Sequence, residues 1–263
     1  MDLKLAKKIA LVTGSTAGIG NAIATSLARE GATVIVNGRT AAAVDGAVAA
    51  MKSKTLGEVI GFAGDLAVAS VAETLVQRHP VVDILVNNLG IFEVKSFEEI
   101  SDADWLRFFD VNVLSGARLS RLYLPAMRQR NWGRIIFISS ESGYHIPAEM
   151  IHYGMTKAAQ IAVARGLAEI TVGTGITVNS VLPGPTRSRG VGDFVAGMAA
   201  KSGQSAQSVE KEFFKTARPT SLLQRFATPE EAAAMVTYVA SPLASATNGA
   251  ALRVDGGTIK SAF

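Results

Sequence analysis

The sequence predicts an α/β fold: a parallel sheet covered by helices on both faces, three layers deep, in one domain. Three observations lead there. Short, nearly all-apolar runs alternate with segments whose apolar residues recur at helical spacing, the pattern of strands buried on both faces and joined by helical crossovers. A glycine-rich turn separates the first apolar run from the first helical segment. No Pro-rich, Ser-rich or charged linker divides the 263 residues, and a hydrophobic content of 48% is enough for one large core.

The elements follow in order. Ile9 to Val12 reads as a buried strand, and Ile19, Ile23 and Leu27 place a helix over 21–30 that Gly31 stops. Thr33 to Val36 is a β-branched strand, 41–52 an alanine-rich helix, Val59 to Phe62 a strand, 70–78 a helix and Ile84 to Val86 a strand. The pattern then predicts one helix over about 101–127, a strand at 135–138, a helix ending near Ile170, a strand at 177–181, a helix from Pro229 and a last strand at 251–254.

Composition narrows the function. Without cysteine there is no disulfide framework and no thiolate ligand or nucleophile, and His79, His145 and His152 lack metal-ligand spacing. A reducing cytoplasm is the simplest setting. No stretch approaches the roughly 20 apolar residues of a membrane span. The net charge of +4 is scattered rather than patched, so it points to an anionic small molecule rather than nucleic acid.

Two stretches carry chemistry. Thr13-Gly14-Ser15-Thr16-Ala17-Gly18-Ile19-Gly20 lies between the first strand and first helix. Glycines there allow close backbone approach, and free N–H groups at a helix start favour a pyrophosphate; a purely structural turn is the alternative. At the end of the second strand, Val36-Asn37-Gly38-Arg39 offers no carboxylate for ribose hydroxyls, while the Arg39 guanidinium suits a 2′-phosphate. NADP(H) is favoured over NAD(H), unless Arg39 is merely solvated. Further on, Ser140 follows an apolar run, and Tyr153 and Lys157 stand four residues apart on one helical face. An ammonium near a phenol favours the phenolate, and a serine donor can hold a carbonyl or alkoxide oxygen. The set suits proton transfer at an alcohol oxygen, although a Tyr-x-x-x-Lys pair alone also fits a solvated helix.

These motifs, with Asp65-Leu66, Asn87-Asn88-Leu89-Gly90, Asn112, Pro183-Gly184 and Val254-Asp255-Gly256-Gly257, resemble the short-chain dehydrogenase/reductase family over essentially the whole chain. The resemblance implies a doubly wound Rossmann sheet, a homotetramer or homodimer, and hydride transfer between a nicotinamide and a carbonyl or alcohol carbon. It implies Tyr153 as general acid/base and Ser140, rather than Ser139 or Ser142, as the substrate-orienting serine. Lys157 would hold the nicotinamide ribose and lower the Tyr153 pKa. The Asn112 backbone would hold a water linking that lysine to solvent. Gly14, Ser15, Gly18, Ile19 and Gly20 would face the pyrophosphate, Asp65 and Leu66 the adenine, Asn88 and Gly90 the adenine ribose region, and Pro183, Gly184 and Thr186 the nicotinamide. Leu89 departs from the family's usual alanine and requires adjusted packing or a side chain turned away from the cofactor. Ala17 leaves the glycine turn without a second basic residue.

The segment 185–228, with apolar Phe194, Val195, Met198, Val209, Phe213 and Phe214, reads as two short amphipathic helices covering the substrate, hinged at Gly190, Gly192 or Gly203. Glu141, Tyr144 and His145 are expected to line the pocket, and Arg187 and Arg189 either attract an anion or are solvated. The expected activity is an NADP(H)-dependent carbonyl reductase or alcohol dehydrogenase, of 3-oxoacyl reductase type among other options. An NAD-dependent alcohol dehydrogenase and a catalytically idle nucleotide-binding protein are the alternatives.

Overall fold

The computed structural model describes residues 2–262; the side chains of Arg189, Asp193, Phe194, Lys201 and Ser202 lie outside the described set, and with them the readings placed on Arg189 and Phe194. Seven strands form one parallel sheet: β1 (Ile9–Val12), β2 (Thr33–Gly38), β3 (Val59–Ala63), β4 (Ile84–Asn87), β5 (Gly133–Ile138), β6 (Ile176–Pro183) and β7 (Ala251–Val254). Their order across the sheet is β3-β2-β1-β4-β5-β6-β7. The chain winds outward from β1 in one direction, then returns and continues from β4 in the other. The crevice at this reversal, outside the carboxyl ends of the strands, is where such sheets bind ligands.

Alternation of side chains along each strand divides the core in two. Ala10, Val12, Val34, Val36, Ile84 and Val86 face one layer, where they meet α1 (Gly18–Arg29), α2 (Ala41–Lys52) and the late helix Pro229–Ala240. Leu11, Ile35, Leu85, Ile135 and Phe137 face the other, against α3 (Ala69–Arg78) and the helices Ser115–Gln129 and Ile151–Glu169. Because both faces are covered, the strands could not show the apolar/polar alternation of a half-exposed sheet, and they read as continuous apolar runs.

The helix expected over 101–127 is continuous but not uniform. It comprises α4 (Asp102–Phe109), a π-helical turn (Asp110–Leu114) and α5 (Ser115–Gln129). Ser101 and Asp104 form a reciprocal capping box at its start. The π turn inserts one extra residue per turn and so re-aims Asn112, which is fully buried. Next comes α6 (Ile151–Glu169).

The covering segment folds as expected into two helices, α7 (Arg189–Ser202) and α8 (Ala206–Thr216), capped by Ser188 and Ser205. Val195, Val209, Phe214 and Phe226 give it a small core of its own. Of the three glycines expected as hinges, Gly190 and Gly192 lie inside the first turn of α7. Gly203 sits between the helices at φ 66°, a left-handed conformation that glycine adopts without strain. α9 (Pro229–Ala240) starts on a Thr228/Glu231 capping box with proline at its first position. Among the described residues, no helix is long and apolar enough to cross a membrane.

Candidate active site

The glycine turn is fixed from below by two buried polar side chains. Ser15 donates its hydroxyl to the Val12 carbonyl at 2.7 Å and accepts the Asn37 N–H at 3.0 Å. Asn37 accepts the Gly14 N–H at 3.1 Å and donates its amide to the carbonyls of Phe62 and Gly64 at 3.2 and 3.0 Å. One side chain thus joins the turn to β2 and β3. From the sequence this stretch was informative for its missing carboxylate and for Arg39; the overlooked signal was the Asn37 amide inside an otherwise apolar strand.

Space above the turn is kept by absent side chains. A Cβ on Gly20 would stand 2.4 Å from Asn88 Nδ2 and 2.6 Å from the Gly14 carbonyl, and one on Gly14 would stand 3.3 Å from the Leu89 Cα at a φ of 59°. α1 begins at Gly18 with no side-chain cap and no acidic residue in its first turn. Its first N–H groups are therefore open to an anion. Arg39 is exposed just past β2 and, among the described residues, makes no hydrogen bond or ion pair. This donor set, with a cradle that a single Cβ would fill, fits a dinucleotide pyrophosphate.

Asn88 ties the end of β4 to the same turn, donating to the carbonyls of Thr13 and Gly14 at 2.9 and 3.0 Å. Leu89 resolves its departure by packing sideways: it is half-buried against the core layer that holds α3, α5 and α6. Gly90 is exposed. The Leu66 side chain is in that same core layer, so only its backbone can meet a ligand, while Asp65 is exposed and accepts the Ala67 N–H at 3.0 Å.

The expected reacting groups converge where β5, the π turn and α6 meet. Ser140 is held by the Ser142 N–H at 3.1 Å and donates to Glu141 Oε2 at 2.5 Å. Ser139 is otherwise engaged, donating to the Lys157 carbonyl at 2.8 Å. Tyr153 stands edge-on to Phe92, with ring centroids 6.4 Å apart. Lys157 Nζ lies 5.5 Å from the Tyr153 ring centroid and donates to the Ile138 carbonyl at 2.9 Å and to Gln160 Oε1 at 3.0 Å. A Cβ on Gly90 would stand 3.6 Å from Nζ, so that glycine lies directly beside the ammonium. The Asn112 side chain clamps the Ile91 backbone, accepting its N–H at 2.8 Å and donating to its carbonyl at 3.0 Å. The Asn112 carbonyl, where a bridging water was expected, accepts the Gln160 amide at 2.6 Å.

The electrostatics depart from the expectation for Tyr153. Burial, followed by the negative charge of Glu141, pushes its pKa well above the ordinary phenol value, and the Ser140 hydrogen bond opposes this only in part. Burial also pushes Lys157 down to about 8, with Glu141 working against it. The groups that draw the phenol down are Ser140 and then Arg218, not the expected lysine, and burial outweighs them.

A cavity of about 880 Å³ opens onto this cluster; Ile19, Ser140, Tyr153, Pro183, Gly184 and Thr186 border it on the sheet side, and α7 and α8 cover it with Val195, Met198, Val209 and Phe213. Glu141 is in its floor, 4% exposed, and Arg218, 7% exposed, reaches it at 3.1 Å while also meeting Glu149 at 3.4 Å. Tyr144 and His145 stand exposed beyond the short turn after Ser140 and are not in the cavity wall. Arg187 is exposed and paired with Glu210. Sequence reading missed Arg218, which lies 77 positions from Glu141 with no local signal of the contact.

Fold and cluster together define an oxidoreductase of the Rossmann type, and comparison with known proteins agrees. Residues 8–205 match the model of the short chain dehydrogenase family. An uncharacterized oxidoreductase of Bacillus subtilis, YvrD, is 48% identical over 99% of this chain and all of its own. The D-beta-hydroxybutyrate dehydrogenase of Cupriavidus necator is 34% identical over 96% of this chain and 98% of its own. The crystal structure of L-sorbose reductase from Gluconobacter frateurii, complexed with NADPH and L-sorbose, has a TM-score of 0.93 at 29% identity, covering 99% of this chain and all of that one. The chain belongs to the short-chain dehydrogenase family and is an enzyme acting on CH–OH or C=O groups.

Proposed function

We propose that this protein is an NADP(H)-dependent reductase interconverting a carbonyl and a secondary alcohol, with Tyr153 as general acid/base. The observation that carries this reading is that Ser140 and Tyr153 line one cavity that Ile19 of the glycine turn also borders, with the Lys157 ammonium behind them, 5.5 Å from the Tyr153 ring centroid. When bound, the dinucleotide supplies or accepts the hydride. Gly14, Ser15, Gly18, Ile19 and Gly20 would hold its pyrophosphate, Asp65, Leu66, Asn88 and Gly90 its adenosine half, and Pro183, Gly184, Thr186 and Lys157 its nicotinamide half. Arg39, exposed and unengaged at the strand end, supports the 2′-phosphate and hence NADP(H) over NAD(H).

Tyr153, kept protonated by its burial, is poised to give its hydrogen to a carbonyl oxygen. The Lys157 cation then stabilises the phenolate left behind. Ser140, turned from Glu141 toward the cavity, donates to the same substrate oxygen. Phe92, Val94, Met150, Val195 and Phe213 line the cavity with apolar surface, which favours a carbonyl on an apolar body over a free sugar, whose hydroxyls would lose their water there.

The test is NADPH consumption over a panel of ketones, β-keto thioesters, sugars and steroid carbonyls, with NADH in parallel. Replacing Tyr153 by Phe is expected to lower kcat by about 10²- to 10⁴-fold, the range for a general acid. Turnover by Tyr153→Phe within a few-fold of wild type would refute the role.

A further inference from the structure

The least expected side chain in the cluster is Gln160. It lies three residues after Lys157 on the same helix face, 1% exposed, and its two amide ends are both engaged: Oε1 accepts from Lys157 Nζ at 3.0 Å and Nε2 donates to the Asn112 carbonyl at 2.6 Å. The orientation is dictated, because the reversed amide would set its NH₂ against the ammonium and its oxygen against a carbonyl. Gln160 thus spans α6 and the π turn, and the π turn is what brings the Asn112 carbonyl within its reach.

We propose that Gln160 is a positioning residue of this enzyme, fixing the Lys157 ammonium between the Ile138 carbonyl and its own amide, beside Gly90. The inference rests on the reductase reading above for its catalytic meaning, but the clamp itself does not. A water in this position could accept a proton from lysine and pass it on. An amide accepts a hydrogen bond from the ammonium and donates one to a carbonyl, and it cannot transmit the proton without tautomerising. On the Gln160 side Lys157 is therefore held as a cation with no onward proton path.

The groups facing Lys157 are few. Tyr153 is on its own helix, and Glu141, on the turn after β5, raises its pKa. Asn112 and the Ile138 carbonyl are uncharged, and Asp110 of the π turn and Glu149 are exposed. On the side of α6 that meets α4, His152 packs against Phe108 and Trp105, and its pKa is lowered by burial. The ionisation of Lys157 is therefore sensitive to what stands at position 160.

The variants are Gln160→Met, similar in length without either polar end, and Gln160→Glu, nearly isosteric with a negative charge. Lys157 ionisation is read by competitive labelling with acetic anhydride across pH, followed by peptide mass spectrometry, which needs neither cofactor nor turnover. The labelling midpoint is expected to fall by about one pH unit in Gln160→Met and to rise by at least as much in Gln160→Glu, from losing or strengthening a hydrogen bond to a charged group. The alkaline limb of kcat for carbonyl reduction is expected to move in the same two directions. A midpoint unmoved in both variants, or moved the same way in both, overturns the clamp. A labelling midpoint that moves while the kcat limb stays in place overturns the positioning role. Wild-type protein that reduces no carbonyl with NADPH overturns the reductase reading, while the labelling result still decides the clamp.

Discussion

Replacing Asn37 by Leu, of similar volume, should loosen the cofactor turn without opening a cavity. Three hydrogen bonds are lost: one from Gly14 N–H and two to the Phe62 and Gly64 carbonyls. At about 1 kcal/mol for each such bond in a buried setting, the loss is about 3 kcal/mol. For a chain of this size each kcal/mol lowers Tm by about 2–4 °C, so a fall of about 6–12 °C is expected. Because Gly14 is itself in the turn, NADPH affinity should fall by more than about tenfold, the equivalent of one further lost hydrogen bond. Circular-dichroism melting and NADPH fluorescence titration measure the two effects. Asn37→Asp sharpens the test, since it keeps the acceptor for Gly14 but sets a carboxylate against two carbonyls. Burial raises its folded pKa, so the folded state holds a proton that the unfolded state releases near pH 4, and the variant's deficit should grow as pH rises above that point. A Tm within about 2 °C of wild type together with unchanged NADPH affinity in Asn37→Leu would refute the reasoning.

Three other perturbations have distinct signatures. Gly20→Ala places a Cβ against Asn88 Nδ2 and the Gly14 carbonyl, so NADPH binding should weaken by at least about tenfold; a fully active variant would show that the turn can shift. Arg218→Met leaves the Glu141 carboxylate unpaired in the cavity floor, and a loss of about 3–5 kcal/mol is expected in chemical denaturation, with partial recovery when Glu141→Gln is added; no recovery in the double variant would show that the pair is not coupled. His152 is fully buried, neither ring nitrogen is hydrogen-bonded among the described residues, and its folded pKa is lowered by burial. The unfolded chain therefore takes up the proton first, and stability should fall as pH drops below about 6.5, by at most about 1.4 kcal/mol per pH unit for this group. His79 is also lowered and leaves a residual slope, so His152→Phe should flatten the acid side in part; an identical slope in the variant would exclude His152 as a source.

Legibility in the sequence followed the range of the interactions. The strands were readable because burial makes most of them short, nearly all-apolar runs, and the starts of α4 and α9 lie where they were expected, on the local caps of Ser101 with Asp104 and Thr228 with Glu231. Tyr153 and Lys157 were readable as a pair because helix geometry alone places residues four apart on one face. The π turn was not readable: it is held by Asn112 clamping the Ile91 backbone, a contact 21 positions distant. The direction of the Tyr153 shift was likewise missed, since a spacing tells how near the lysine is but not how much water the phenol has lost.

By itself, then, the sequence determined the alternation of strands and helices that builds the parallel sheet, because periodicity is local and burial is averaged over whole segments. Only the tertiary structure decided that Asn37 braces the glycine turn, that Arg218 reaches Glu141 across 77 positions, and that Gln160 stands between Lys157 and Asn112. Each depends on the direction of one side chain toward a partner on another element, and that direction is set by packing between elements rather than by the order of residues along any one of them.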